Sequence, residues 1–547
     1  MKLTNTADVW WKNAVVYCLD VETYADSDGD GHGDFRGLTQ RIDHLHKLGV
    51  TCLWLMPFYP SPDRDDGYDI TDFYGVDPRL GTLGDFVEFM RTARDRGIRV
   101  IADLVVNHTS DQHPWFADSR SSKDSAKRDW YVWAEEPPED GPQGVVFPDQ
   151  ETSLWELDEP TGEYYLHRFY RYQPDLNVAN PEVRDEIVRI MGFWMELGLS
   201  GFRVDAVPFL LETDGQLDAA NLPDPHDYLC DLRAFLSRRN GEGVLLGEVN
   251  LPYADAMKFF GHADGVGDEL TMCFDFIGMQ QMYLSLARQD SGALARSLTE
   301  RPKPPRDAHW ATFVRNHDEL TLDKLTEYER KEVFEAFGPD KDMQLYDRGL
   351  RRRLPSMLGG DQRRIRMVYS MLFSLPGTPV LFYGEEIGMA ENLAAEGRLA
   401  VRTPMQWDAG VNGGFSTADA KALPGPVVEG KFSPKHVNVD QQHRDPDSLL
   451  SWIRLLVERY RDCPEFAWGD FQILDVDNPA VLAHRCDADG TVVAVHNLGD
   501  AEVTVKLPMK DFERLEDQLQ DGTTKVLKNG TAKITLPPYG CRWFRAS

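Results

Sequence analysis

Basic residues are scarce relative to acids: the 547 residues carry 59 Lys and Arg against 90 Asp and Glu, a formal charge of −31. A phosphate backbone is bound by cations that release its counterions, and an anionic membrane surface by clusters of Lys and Arg. The deficit therefore argues for no nucleic acid and no membrane as partners. No apolar run approaches the roughly 20 residues that span a bilayer. The seven cysteines (Cys18, Cys52, Cys230, Cys273, Cys463, Cys486, Cys541) are an odd, scattered set without a CxxC pair. That pattern suits a reduced cytosolic chain better than a disulfide framework or a zinc site. The opening MKLTNTADVWWKNAVVY lacks the basic start, apolar core and small-residue cleavage site of a secretory leader, so a cytoplasmic protein is expected. Repeats and low-complexity tracts are also missing. Nothing in the composition opposes a homo-oligomer.

What is present is an alternation. Apolar runs at AVVYCL (14–19), TCLWLMPF (51–58), RVIADLVVN (99–107), GFRVD (201–205), GVLLGE (243–248), TMCFDF (271–276), ATFVRNHD (311–318) and PVLFYGEE (379–386) read as buried strands. Between them lie amphipathic stretches such as LTQRIDHLHKLG (38–49), DFVEFMRTARDRG (85–97) and EVRDEIVRIMGFWMELG (182–198). Each ends at Gly, a common residue just past a helix. Strands and helices in alternation predict an α/β fold with a parallel sheet and helices outside. Eight units favour a closed (β/α)₈ TIM barrel.

The third and fourth strands are much farther apart than one helix requires, and the intervening sequence is polar, aromatic and rich in Pro and Gly. It predicts an inserted subdomain over 108–178, after strand three. The catalytic barrel then comprises 1–107 and 179–459. From 460 to 547, alternating apolar residues with Asp-Gly and Asn-Gly turns predict a C-terminal antiparallel β-domain, a sandwich.

Active groups of such barrels lie where the strands end. Four of the runs end in chemistry: Asp103, Asn107 and His108; Arg203 and Asp205; Glu248; Asn316, His317 and Asp318. One acid after a strand serves equally well as a helix cap. Four neighbouring strands that all do so converge on a single mouth. Several carboxylates with an arginine and no thiol suit the cleavage of acetals, where one acid protonates the leaving oxygen and one carboxylate captures the oxocarbenium-like carbon. Metal-dependent hydrolysis is the rival, but no HxxxH or HxH spacing occurs among these strand ends.

These segments resemble the α-amylase family of glycoside hydrolases along nearly the whole chain. Asp103-Leu-Val-Val-Asn107-His108, Gly201-Phe-Arg203-Val-Asp205-Ala206, Gly247-Glu248 and Arg315-Asn316-His317-Asp318 match its four ordered motifs, and Gln173-Pro-Asp175-Leu-Asn177 matches the extra segment of its α-glucosidase-like branch. The resemblance implies that Asp205 is the nucleophile, Glu248 the general acid/base and Asp318 the grip on the sugar's 2- and 3-hydroxyls. It implies sugar contacts from Asp103, His108, Arg203 and His317, with Tyr68 stacked on the nonreducing glucose. Asp65 and Arg402 together would close the pocket behind that glucose.

It also bears on metals. Asp26-Ser-Asp28-Gly-Asp30-Gly-His32-Gly-Asp34 has acids at alternate positions like the first half of an EF-hand loop, without the terminal Glu. A solvated acidic turn is the plain alternative. Related enzymes imply calcium here on Asp26, Asp28, Asp30, Asp34 and the His32 carbonyl. A second calcium would take Asn107, Asp175 and Glu212 with the carbonyls of Phe209 and Leu210, unless Asn107 only braces the insertion.

Within the family, Phe313-Val-Arg-Asn-His-Asp-Glu-Leu-Thr-Leu322, Gly349-Leu-Arg-Arg-Arg-Leu354 and Val401-Arg-Thr-Pro-Met-Gln-Trp407 resemble the branch that interconverts maltose and trehalose. The expected activity is intramolecular glucosyl transfer, with hydrolysis or transglucosylation of small α-glucosides as the alternative. A non-catalytic barrel is the third reading, and the complete set of three carboxylates opposes it.

Overall fold

The computed structural model describes residues 9–137, 144–211, 226–261 and 267–547. Its centre is a closed barrel of eight parallel strands, all predicted from sequence: β1 (Val16–Leu19), β2 (Cys52–Leu55), β3 (Arg99–Leu104), β4 (Gly201–Val204), β5 (Val244–Gly247), β6 (Met272–Phe274), β7 (His309–Phe313) and β8 (Thr378–Phe382). Closure is made by β1, whose Val16 pairs with Cys52 of β2 on one side and Val380 of β8 on the other. Apart from Arg99, every residue of these strands is buried. Burial on both faces explains their continuous apolar character. The paired segments are shorter than the apolar runs. Val105 and Val106, for example, are buried beyond the end of β3, where the chain leaves the sheet for the mouth.

The surrounding helices begin and stop where their ends dictate. Asp34 caps α1 (Phe35–Leu48) by accepting from Gly37 N at 2.7 Å, and Gly49 ends it at φ 89°. Thr82 and Asp85 form a capping box on α2 (Leu83–Asp95).

Between β3 and β4 the chain forms a three-stranded antiparallel sheet from Trp133–Ala134, Glu163–Leu166 and Trp155–Asp158. Bridges His108↔Asp175 and Tyr131↔Leu176 join the start and end of this excursion. A second small sheet, from Leu320–Thr321, Gly349–Leu350 and Gln344–Leu345, follows β7 and has no counterpart in the sequence reading. Its two-residue strands carry too little periodicity to be seen in advance, yet they place Tyr346 and Arg348 beside the mouth.

The C-terminal region is a six-stranded antiparallel sheet beside a two-stranded one, Val503–Pro508 with Thr531–Leu536. Val505, Leu507, Ile534 and Leu536 face Val493, Val495 and Phe544 in a common core. This region meets the barrel through Ser370, whose hydroxyl contacts His496 Nε2 at 3.0 Å and accepts from Trp543 Nε1 at 2.9 Å. Among the described residues no helix is long and apolar enough to cross a membrane.

Candidate active site

Three of the four acid-bearing strand ends meet around one guanidinium. Arg203, on β4, donates through Nη1 to Asp103 at 2.5 Å and to Asp205, and through Nη2 it lies 2.8 Å from Glu248 Oε2. Asp103 is held from behind by Trp54 Nε1 at 2.9 Å. The residue after Asp205, Ala206, adopts φ 46°, and its N–H donates to Glu248 at 3.2 Å. Such a conformation is costly for a side-chain-bearing residue and marks a site where backbone geometry is imposed. Here it turns the chain sharply after the strand and puts an amide beside the second carboxylate.

Asp318 is gripped on its other side. Arg402 Nη2 lies 3.1 Å and Arg398 Nη1 3.0 Å from its Oδ1, and His317 Nε2 lies 3.5 Å from Oδ2. The Tyr68 ring runs nearly parallel to His317, at 10° and 5.6 Å between centroids, with its hydroxyl 2.7 Å from Nε2. His108 directs Nε2 at the Tyr68 carbonyl, 3.2 Å away. Asp65, Tyr68, Asp205, Glu248, Asp318 and Arg398 line a cavity of about 420 Å³, with Phe147, Phe169 and Phe209 as its apolar wall. A few convergent polar groups in an apolar cleft are the ordinary form of a small-ligand site.

The electrostatics separate the acids. Burial, only partly offset by Arg203, raises Asp205 to about 6. Glu248 is raised further, to about 7, by burial and by the charges of Asp205 and Asp318, against the pull of Arg203. Asp318 is also buried, yet the guanidinium charges of Arg398 and Arg402 carry it well below the usual carboxylate range. One carboxyl thus keeps its proton near neutrality while the others ionise, as paired acid and nucleophile require. Burial lowers His108 to about 4 and His317 well below its ordinary value, so both act as neutral hydrogen-bonding rings.

Asp65 and Arg402 line one cavity without forming an ion pair. Arg402 pairs with Asp66 instead, along with Asp318, and donates through Nε to the His317 carbonyl at 2.9 Å. Asp65 accepts from Gln173 Nε2 at 2.8 Å, and burial raises it to about 7. The physical reason is the turn. Asp66 has φ 50° and Gly67 φ 87°, which separates the two neighbouring carboxylates and leaves Asp66 on the side of Arg402. Arg398 escaped the sequence reading altogether. Besides Asp318 it pairs with Glu319 at 2.7 Å and covers Phe147 at 4.9 Å. Its only sequence signal is a position four residues before Arg402.

In the acidic loop, carboxylate oxygens of Asp26, Asp28 and Asp34 lie within 4.8 Å of one another. Asp30 is outside that group and caps the His32 N–H at 2.8 Å. In the second set, Asn107 and Asp175 flank the bridge at His108, but Arg168 already lies on Asp175, Nε to Oδ2 at 3.3 Å. Phe209 and Leu210 sit in the short helix Val207–Leu211, and Glu212 lies outside the described residues.

A barrel that gathers paired carboxylates at its strand ends defines an enzyme class that makes and breaks acetals. The catalytic-domain model of α-amylase matches residues 21–336 and 347–468, and the chain belongs to that family. A sucrose hydrolase-like C-terminal domain matches 490–545. The chain is 42% identical to a trehalose synthase of Thermus thermophilus over 98% of its length, and spans 55% of that protein. It is 40% identical to the trehalose synthase/amylase of Mycolicibacterium smegmatis, covering 98% of this chain and 92% of that one. The trehalulose synthase MutB of Pseudomonas mesoacidophila superposes with a TM-score of 0.77 at 26% identity, covering 98% of this chain and 99% of that one.

Proposed function

We propose that this chain is a retaining α-glucosyl transferase that interconverts maltose and trehalose, with hydrolysis as a side reaction. The observation that carries the reading is the single Arg203 shared by Asp205 and Glu248 at the floor of a small polar-and-aromatic pocket. The names of the relatives and their near-complete coverage of this chain support the choice of disaccharide.

Asp205, ionised beside Arg203, attacks the anomeric carbon of the nonreducing glucose. The glycosidic C–O bond breaks, and its oxygen takes the Glu248 proton. A glucosyl ester on Asp205 and a free glucose result. Glu248, now a carboxylate, takes the proton from the anomeric hydroxyl of the reoriented glucose, whose oxygen then displaces Asp205. Two inversions give net retention. If water takes the place of glucose, the same step yields hydrolysis. The product ratio therefore depends on how long the pocket keeps glucose in and water out. Arg398, anchored on Asp318 and Glu319, and the Phe147 ring beneath it provide part of that wall.

Calcium is proposed as a structural ion on Asp26, Asp28 and Asp34, whose hard oxygens fit its chemistry. It would brace the turn that precedes α1. At Asn107 and Asp175 a cation would have to displace Arg168.

The decisive experiment is incubation of purified protein with maltose, followed by anomer-resolved NMR. Trehalose as the main product with little glucose supports the transferase. Glucose alone, released first as the α-anomer, makes the chain a retaining α-glucosidase.

A further inference from the structure

A thiol, an imidazole and two carboxylates meet outside the catalytic cavity. The helix His226–Arg239 begins at His226 and carries Cys230 one turn further along the same face. Asp268 and Glu269, just ahead of β6, approach that face. The Cys230 sulfur and one carboxylate oxygen from each acid all lie within 4.8 Å of one another. His226 Nδ1 is 2.8 Å from Glu269 Oε2. Glu269 is buried, Cys230 and His226 are half-buried and Asp268 is exposed, so an ion has both a shielded anchor and a way in. None of the four lines the catalytic cavity.

We propose that Cys230, Asp268 and Glu269 bind a thiophilic divalent cation of the zinc class, with His226 orienting Glu269. Zinc bonds of about 2.0–2.3 Å place tetrahedral ligands roughly 3.3–3.8 Å apart, so these donors need only a small closure. The imidazole on Glu269 supplies the outer hydrogen bond that orients a ligating carboxylate. On binding, the thiol proton leaves to solvent as the sulfur–metal bond forms, and the carboxylates of Asp268 and Glu269 within 4.8 Å offset the charge of the ion. Calcium would use the oxygens and leave the sulfur protonated, so a metal–thiolate bond separates this site from the Asp26 loop. The ion would tie the start of the helix to the turn before β6. No CxxC or HxxxH spacing announces the site, because its donors come from two segments joined only by the fold.

The test is cobalt titration of chelator-stripped full-length protein. One equivalent of Co²⁺ should generate thiolate-to-metal charge-transfer absorption, and zinc should displace it. Cys230→Ser should abolish the band, whereas Cys541→Ser, at the other half-buried thiol, should leave it intact. Glu269→Gln should weaken cobalt affinity by about ten-fold or more. Unchanged maltose turnover would show that the variants are folded. Cobalt binding without a thiolate band, a band that survives Cys230→Ser, or no binding at all would overturn the proposal.

Discussion

Arg203 and Glu248 are in direct contact, Nη2 to Oε2 at 2.8 Å, while the other terminal nitrogen of the same guanidinium holds Asp103 and Asp205. One planar cation therefore contacts both carboxylates proposed to react, opposing the effect of burial on their charge and fixing their relative position. Arg203→Lys keeps the charge but loses the fork. Removing one partner of a buried, hydrogen-bonded charge cluster costs about 3–5 kcal/mol. If that loss falls on the transition state, kcat should drop by roughly 10²–10⁴ with little change in KM. Steady-state kinetics on maltose would check this, and an unaltered kcat would remove Arg203 from the positioning role.

The pH profile follows from the two raised carboxyls. Asp205, at about 6, must be ionised to attack, so activity should rise as pH climbs through that value. Glu248, at about 7, must be protonated to assist departure, so activity should fall above it. The result is a narrow bell whose limbs belong to the coupled pair. Glu248→Gln should remove the alkaline limb, and a substrate with a leaving group that needs no proton should recover much of the rate.

Arg398 should govern product partition more than bond cleavage. Arg398→Ala removes the contacts to Asp318 and Glu319 and uncovers Phe147, opening the pocket wall to water. The glucose share of the products should rise several-fold relative to trehalose, with maltose consumption less affected. An unchanged glucose-to-trehalose ratio would show that the wall lies elsewhere.

The C-terminal interface should contribute to the loss of stability in acid, alongside the buried His108 and His317 of the barrel. His484 and His496 lie with rings parallel and 6.2 Å between centroids, both buried, with His484 Nε2 facing the Ser374 carbonyl. Burial lowers His484 from 6.5 to about 4 and takes His496 lower still. A depressed histidine pKa means that the unfolded chain binds the extra proton. Stability is full above about 6.5 and declines as pH falls toward about 4, by about 3 kcal/mol for His484 alone. Replacing both rings with Gln should make Tm fall less steeply with pH across that window, and an unchanged slope would remove the pair from the acid response.

Chelation tests the acidic loop. At calcium a hundred-fold above Kd, the ion would contribute about 2–3 kcal/mol to the folded state. In protein reconstituted with calcium alone, EDTA should lower Tm in the native chain and leave Asp26→Ala unchanged, since that variant has already lost the site. Equal responses in both would assign the loop to hydrogen bonding alone, in which Asp26 already accepts from Gly29 at 2.7 Å and Gly31 at 2.9 Å.

The barrel strands and the acids at their ends were legible because a strand buried on both faces must be apolar throughout, and the first polar residue after it then stands out. Asp205 and Glu248 are visible for that reason alone. Tyr346 and Arg348 were not, because the two-residue strands that place them leave no periodic trace. Arg398 lies in a short 3-10 turn, Gly397–Val401, where nothing local separates it from a surface arginine.

The sequence by itself determined the eightfold alternation, the acids at the strand ends and the family, since each depends on residue type at a fixed offset from a local element. Only the tertiary structure decided which carboxylate Arg402 takes, that Arg398 stands over the pocket, and that Cys230 faces Asp268 and Glu269. Those pairings join residues distant in the chain, and their partners follow from backbone turns and burial, which no local spacing encodes.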